Sequence, residues 1–169
     1  MTSKSTGMTE RELIDHGFRY ALSLTHHEQD AEDLVQTAFF RLYRSRGRVE
    51  HKALLITTIR NLFFDQCRRK RNKLVITLDN PEELIQLPSP TQSLPGTNLD
   101  MDELLARLRP EEREALYLSA VDGCSASEIA NLTDQPRNTV LSLIHRAKKK
   151  LQAVIAREEN RMKRRDYHD

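Results

Sequence analysis

From Arg137 to Leu151 the chain holds five Lys or Arg and no acidic residue, and Asn138, Ser142, His145, Arg146 and Lys149 share one side of a helical register. Side chains of these types do no covalent chemistry together. They suit reading of nucleic acid, since Arg and Lys engage guanine edges, Asn engages adenine edges, and others hold phosphates. A second basic tract lies upstream, where Arg60 to Lys73 carries six Lys or Arg against one acid, Asp65. Between the two tracts, Leu74 to Ala106 holds six Asp or Glu and no Lys or Arg. The order is basic, acidic, basic.

Helices must position these groups. Ser125 and Glu128 form a capping-box pair that opens a short helix, and Pro136 suits the first turn of the next one. Val140, Ile144, Ala147, Leu151, Val154 and Ile155 then recur at helical spacing as one apolar stripe, opposite the polar face. This is a helix-turn-helix, whose second helix can enter a DNA major groove. Upstream, Glu10 to Leu24 reads as a helix. Asp30 to Arg44 reads as a clearer one, with Ala31, Leu34, Val35, Ala38, Phe39, Leu42 and Tyr43 at i, i+3, i+4, i+7, i+8, i+11 and i+12. After a break at Gly47, a third runs from about Ala53 to Arg71, with Leu55, Ile59, Leu62, Phe63 and Cys67 as its buried stripe.

Periodicity fails from Lys73 to Leu99, where four of the six prolines lie, and the segment reads as a linker with at most a short turn around Glu82 to Gln86. It resumes at Asp100 through Leu104, Leu105 and Leu108, stops at Pro110, and restarts through Ala115, Leu116, Leu118 and Val121. No strand alternation of convincing length appears. The expected fold is all-α, in two small helical domains joined by a flexible acidic linker, with fraying of the polar tail from Arg157 onward.

Composition narrows the function classes. A chain of 169 residues with 38% hydrophobic content can bury a core, but its formal charge of +2 means that affinity for nucleic acid rests on charge distribution rather than bulk charge. The two cysteines, Cys67 and Cys124, make no disulfide framework and no metal-ligand spacing with the six histidines. No carboxylate cluster with His or Cys indicates a two-metal or nucleophilic site, and no glycine loop is built to cradle phosphates. An enzyme is therefore not expected, and no cofactor or metal is implied. No apolar run is long enough to span a membrane, and Met1 to Thr9 lacks the apolar core of a signal peptide, so a cytoplasmic protein is the expectation.

Three runs in order, DAEDLVQTAFFRLYR (Asp30 to Arg44), TIRNLFFDQCRRKR (Thr58 to Arg71) and EIANLTDQPRNTVLSLIHRAKKKL (Glu128 to Leu151), resemble the extracytoplasmic-function (ECF) branch of bacterial RNA polymerase sigma factors. The resemblance implies a promoter-specificity subunit that binds core RNA polymerase and promoter DNA and assists melting. It also implies domain boundaries: a disordered tail at 1–9, sigma domain 2 at 10–72, a linker at 73–98, sigma domain 4 at 99–156, and a C-terminal tail at 157–169. The helix holding Asp30, Glu32, Asp33, Leu34 and Gln36 matches the segment that docks on the basic coiled coil of the β′ clamp, and the second domain implies contact with the β flap. Asn61 matches the position that approaches a base extruded from the -10 element, while Arg60, Arg68, Arg69 and Arg71 suit phosphates of the melted strand. Asp65 is either a base reader or a structural partner of a neighbouring Arg.

In the second domain, Arg137, Asn138, Ser142, His145, Arg146 and Lys149 match positions that meet the -35 element. Leu141 and Leu143 stand where the family commonly has Lys and Arg; their simplest role is extra packing, and the alternative is an exposed apolar edge that binds a regulator or a second copy. The family usually has a Trp, packed mostly in the core, at the position of Leu54, and this chain has no Trp. The resemblance further implies an anti-sigma factor as inhibitor of the polymerase-binding surfaces, and an acidic linker that follows channels later taken by nucleic acid. A stand-alone repressor or activator would explain the helix-turn-helix alone. It leaves the acidic helix and the track from Asn61 to Arg71 without a use.

Overall fold

The protein is described by a computed structural model covering residues 8–77 and 105–166, with backbone alone for 74–77, 158, 161–162 and 164–166. The described residues form six helices and no strand: α1 (Glu10–Thr25), α2 (Glu28–Arg46), α3 (Lys52–Thr77), α4 (Pro110–Ala120), α5 (Ala126–Thr133) and α6 (Arg137–Asp166). They divide into two compact units, α1 to α3 and α4 to α6. The expected turn at Glu82 to Gln86, the helical start at Asp100 to Leu104, and the linker beyond Thr77 lie outside the described residues.

In the first unit each helix packs on the other two. Thr9 and Glu12 cap α1 reciprocally, the Thr9 amide donating to Glu12 Oε2 at 2.7 Å and the Glu12 amide to Thr9 Oγ1 at 3.3 Å. The Thr9 amide and the Thr9 hydroxyl, which donates to the same Oε2 at 3.0 Å, hold the Glu12 carboxyl below its usual range. The helix ends at His26 in the left-handed region (φ 54°), and His27 caps α2 with Nδ1 accepting from the Asp30 amide at 3.5 Å. Leu13, Tyr20, Leu24, Leu34, Val35, Leu55, Ile56 and Ile59 fill the core. Gly17 lets α1 approach α3 closely, because a Cβ there would lie 3.1 Å from Leu55 Cδ2 and 3.2 Å from Ile59 Cδ1.

Two expectations for this unit change. Tyr43, assigned to the apolar stripe of α2, is 53% exposed, because the stripe is closed by Leu42 and Tyr43 sits a further 100° around the helix. α3 also runs to Thr77 rather than ending near Arg71. No Gly or Pro interrupts Arg71 to Thr77, so nothing stops the helix where the basic tract ends.

In the second unit, α4, α5 and α6 likewise pack pairwise. Pro110 opens α4, as its fixed φ and missing N–H allow. The Glu112 carboxylate, 2% exposed, accepts from the Arg109 amide at 3.0 Å and from Lys150 Nζ at 2.7 Å, tying the start of α4 to α6. The Ser125–Glu128 capping box is present, with bonds of 2.7 and 3.2 Å, and donation from Ser125, first by its amide and then by its side chain, holds the Glu128 carboxyl below its usual range. α5 ends at Asp134 (φ 53°), and Pro136 precedes α6, its carbonyl accepting from the Val140 amide at 3.2 Å. Proline therefore sits at the cap rather than in the first turn.

Val140 and Ala147 are buried on α6 and Ile144, Leu151 and Val154 are half-buried, but Ile155 is 41% exposed and lies outside the stripe. The polar segment from Arg157, expected to fray, is helical as far as Asp166. Residues 157–166 contain no Gly or Pro, and four Arg and two Glu among them are good helix formers.

Candidate nucleic-acid interface

On α2, Asp30, Glu32, Asp33 and Gln36 are all exposed. Leu34 differs from them. It is 2% exposed, within the three-helix core, so its side chain holds the helix from inside and offers no surface to a partner. Two residues absent from the expected set join the exposed face instead: Phe40, 66% exposed, and Tyr43. With Asp33 and Gln36 they fall at i, i+3, i+7 and i+10, one continuous strip. The sequence carried this signal in Phe40, an aromatic residue that falls outside the i, i+3, i+4, i+7, i+8 positions of the apolar stripe.

α3 presents the upstream basic tract. Asn61, Asp65 and Arg68 lie at i, i+4 and i+7 on one exposed face, with Arg69 beside them and Arg71 also exposed. Asp65 pairs with Arg68 at 3.5 Å, with side chains 55% and 72% exposed. An ion pair so open to water contributes little stability. Arg60 is half-buried, its guanidinium carbon 4.7 Å from the centroid of Phe64, and Phe64 in turn meets Phe63 edge to face at 5.2 Å. Cation–π and edge-to-face contacts thus fix Arg60 on the core, one residue before Asn61. Arg60 and Phe64 are spaced i, i+4, the sequence signal for a side-chain pair on one helix face. Leu54, at the family's Trp position, is half-buried.

On α6, Arg137, Asn138, Ser142, His145, Arg146 and Lys149 are all exposed, so this helix brings the whole downstream set to one surface. Ser142 Oγ donates to the Asn138 carbonyl at 2.9 Å, and Arg146 Nε donates to the Ser142 carbonyl at 3.2 Å. Leu143 is half-buried, consistent with packing; Leu141 is 41% exposed, so extra packing does not account for it. Lys150 is committed to Glu112 rather than to this face.

The Glu112–Lys150 contact sets a pH dependence. Burial pushes the Glu112 carboxyl up, but hydrogen bonds from Lys150 and the Arg109 amide, with the charges of both residues, outweigh it and leave the carboxyl below its usual range near 4.5. A carboxyl lowered in the folded state stabilises above its unfolded value, and that stabilisation is lost as pH falls through the lower folded value. Protection of α4 and α6 amides from hydrogen exchange is therefore expected to weaken below about pH 4.5. In Glu112→Gln the same amides should be less protected at neutral pH, by about 2 kcal/mol, with a flatter acid dependence. Equal acid sensitivity in the two proteins would assign the effect to another group.

Among the described residues no group of three His, Cys, Asp or Glu side chains is placed to hold a metal ion, and no helix is long and apolar enough to cross a membrane.

Comparison with known proteins fits both units. Residues 11–73 match the family description "Sigma-70 region 2" and residues 98–151 match "Sigma-70, region 4", which places the chain among the sigma factors, the subunits that direct RNA polymerase in transcription initiation. More narrowly, it belongs to the ECF sigma factors. It is 33% identical over 161 residues to the ECF RNA polymerase sigma factor SigE of Mycolicibacterium smegmatis, with 89% of this chain and 61% of that relative aligned. The ECF RNA polymerase sigma factor SigM of Bacillus subtilis is 31% identical over 85% of this chain and 90% of its own length. Among solved structures, the sigma factor RpoE of Bartonella quintana, crystallised with the anti-sigma factor NepR, is similar with a TM-score of 0.65 and 25% identity, covering 85% of this chain and 92% of that one.

Proposed function

We propose that this chain docks on core RNA polymerase through α2, reads and helps melt the -10 element with α3, and reads the -35 element with α6. The observation that carries the reading is the pair of oppositely charged surfaces on one three-helix unit: acidic and aromatic on α2, basic with Asn61 on α3. Asp30, Glu32, Asp33 and Gln36 supply the complementary charge that sets register and on-rate against a basic coiled coil. Phe40 and Tyr43 supply desolvated anchors of the kind that carry most of an interface's binding energy. On α3, Asn61 receives an unstacked base, and Arg60, Arg68, Arg69 and Arg71 line the strand's backbone. On α6, Arg137, Asn138, Ser142, His145, Arg146 and Lys149 divide between base edges and phosphates, and the second unit meets the β flap. The boundaries at 10–72, 73–98 and 99–156 serve this division of labour, with the first unit prolonged to Thr77. An anti-sigma protein covering the α2 strip would silence the factor; that such partners occur is supported by the Bartonella neighbour, crystallised with an anti-sigma factor. Activity in the cytoplasm follows from the partner.

In vitro transcription tests the proposal. Purified protein with bacterial core polymerase on fragmented genomic DNA should produce discrete start sites that share two upstream elements, none of them given by core alone. Free protein should shift promoter DNA weakly, because core polymerase supplies the spacing that lets both units engage together. No specific starts from a folded, core-bound protein would overturn the proposal.

A further inference from the structure

Leu141 interrupts the chemistry of its surroundings on α6. It lies one turn after Arg137 and one turn before His145, with Asn138 three residues back and Ser142 adjacent, and all four are exposed. Leu141 is itself 41% exposed, whereas Val140 and Ala147, which close the apolar side of the same helix, are 1% and 0% exposed. Residues three and four apart are neighbours on a helix surface. The leucine's neighbours are thus a guanidinium, an amide and an imidazole, three groups able to hydrogen-bond base edges, with the half-buried Ile144 on its inner side. A major groove offers such a leucine one apolar feature, the C5-methyl of thymine.

Resting on the reading of α6 given above, we propose that Leu141 recognises a thymine in the upstream element through its methyl group and so fixes one base pair of the promoter code. The contact discriminates twice. It removes the methyl from water, and it presents no donor or acceptor to the cytosine amino group or the guanine acceptors, which would lose water without gaining a partner. An Arg or Lys at this position would favour guanine or a phosphate instead.

The test removes one methyl at a time. Promoters mapped with the holoenzyme are rebuilt with deoxyuridine replacing each thymine of the upstream element singly, and holoenzyme affinity is measured. Wild type is expected to lose about fourfold at one position, the effect of one apolar carbon, and little elsewhere. Leu141→Ala holoenzyme should bind thymine and deoxyuridine equally at that position. Because the residue is exposed, the helical content of Leu141→Ala by circular dichroism should equal that of wild type. An upstream element without thymine, indifference of wild type at every position, or a fourfold loss retained in Leu141→Ala would each overturn the proposal. Failure of the underlying sigma-factor reading would appear earlier, as the absence of specific starts from unmodified DNA.

Discussion

Asn61→Ala is expected to reduce open-complex formation about tenfold while leaving affinity for core polymerase unchanged. The side chain is exposed on α3 and faces away from the core formed by Leu55, Ile56 and Ile59, so the substitution removes an amide without opening a cavity. An amide that bonds a base edge contributes roughly 1–3 kcal/mol of discrimination, and 1.4 kcal/mol is a factor of ten. The loss should be specific to one base of the -10 element, and promoters already carrying another base there should be indifferent to it. Potassium permanganate footprinting measures melting, and fluorescence anisotropy with labelled core measures docking. Unchanged melting on a cognate promoter would remove Asn61 from the site; weakened core binding with it would make the residue a docking contact instead.

The second large effect is expected on α2. Replacing Asp30, Glu32 and Asp33 together by lysine should weaken binding to core polymerase at least about a hundredfold, since like charges set against one another at an interface cost several kcal/mol. All three side chains are exposed, so the first unit should keep its fold, and circular dichroism checks this. Phe40→Ala separates the two components of the strip. It should raise the off-rate with little change in salt dependence, whereas the charge reversal should change the on-rate and its response to salt. Core binding that survives the triple substitution would place the docking surface elsewhere.

Much of this was legible in the sequence because it depends on local rules. The capping box at Ser125, the periodic stripe of α2 and the polar face of α6 each lie within a single helix, where spacing and side-chain chemistry act directly. What escaped depends on distance or on helix ends. Glu112 and Lys150 meet across 38 positions, and no local pattern marks them as partners. The family resemblance puts Leu34 in the docking segment, yet its place in the period of Ala31, Val35 and Ala38 buries it. The expected end of α3 lies where helical periodicity fails and that of α6 where composition turns polar, but neither stretch holds the Gly or Pro that would end a helix. Leu141 was the reverse case, an apolar residue read as packing whose angular position leaves it open.

The uninterrupted backbone of α6 makes the reading surface one end of a lever. Thirty residues at a rise of about 1.5 Å span about 45 Å. A tilt of about ten degrees around Val140 would swing Asp166 through roughly 7 Å, given that rise. A fluorophore or crosslinker at the carboxyl end would therefore report the seating of Arg137 to Lys149 without touching it, and a bulky body fastened there would pull on that seating in turn.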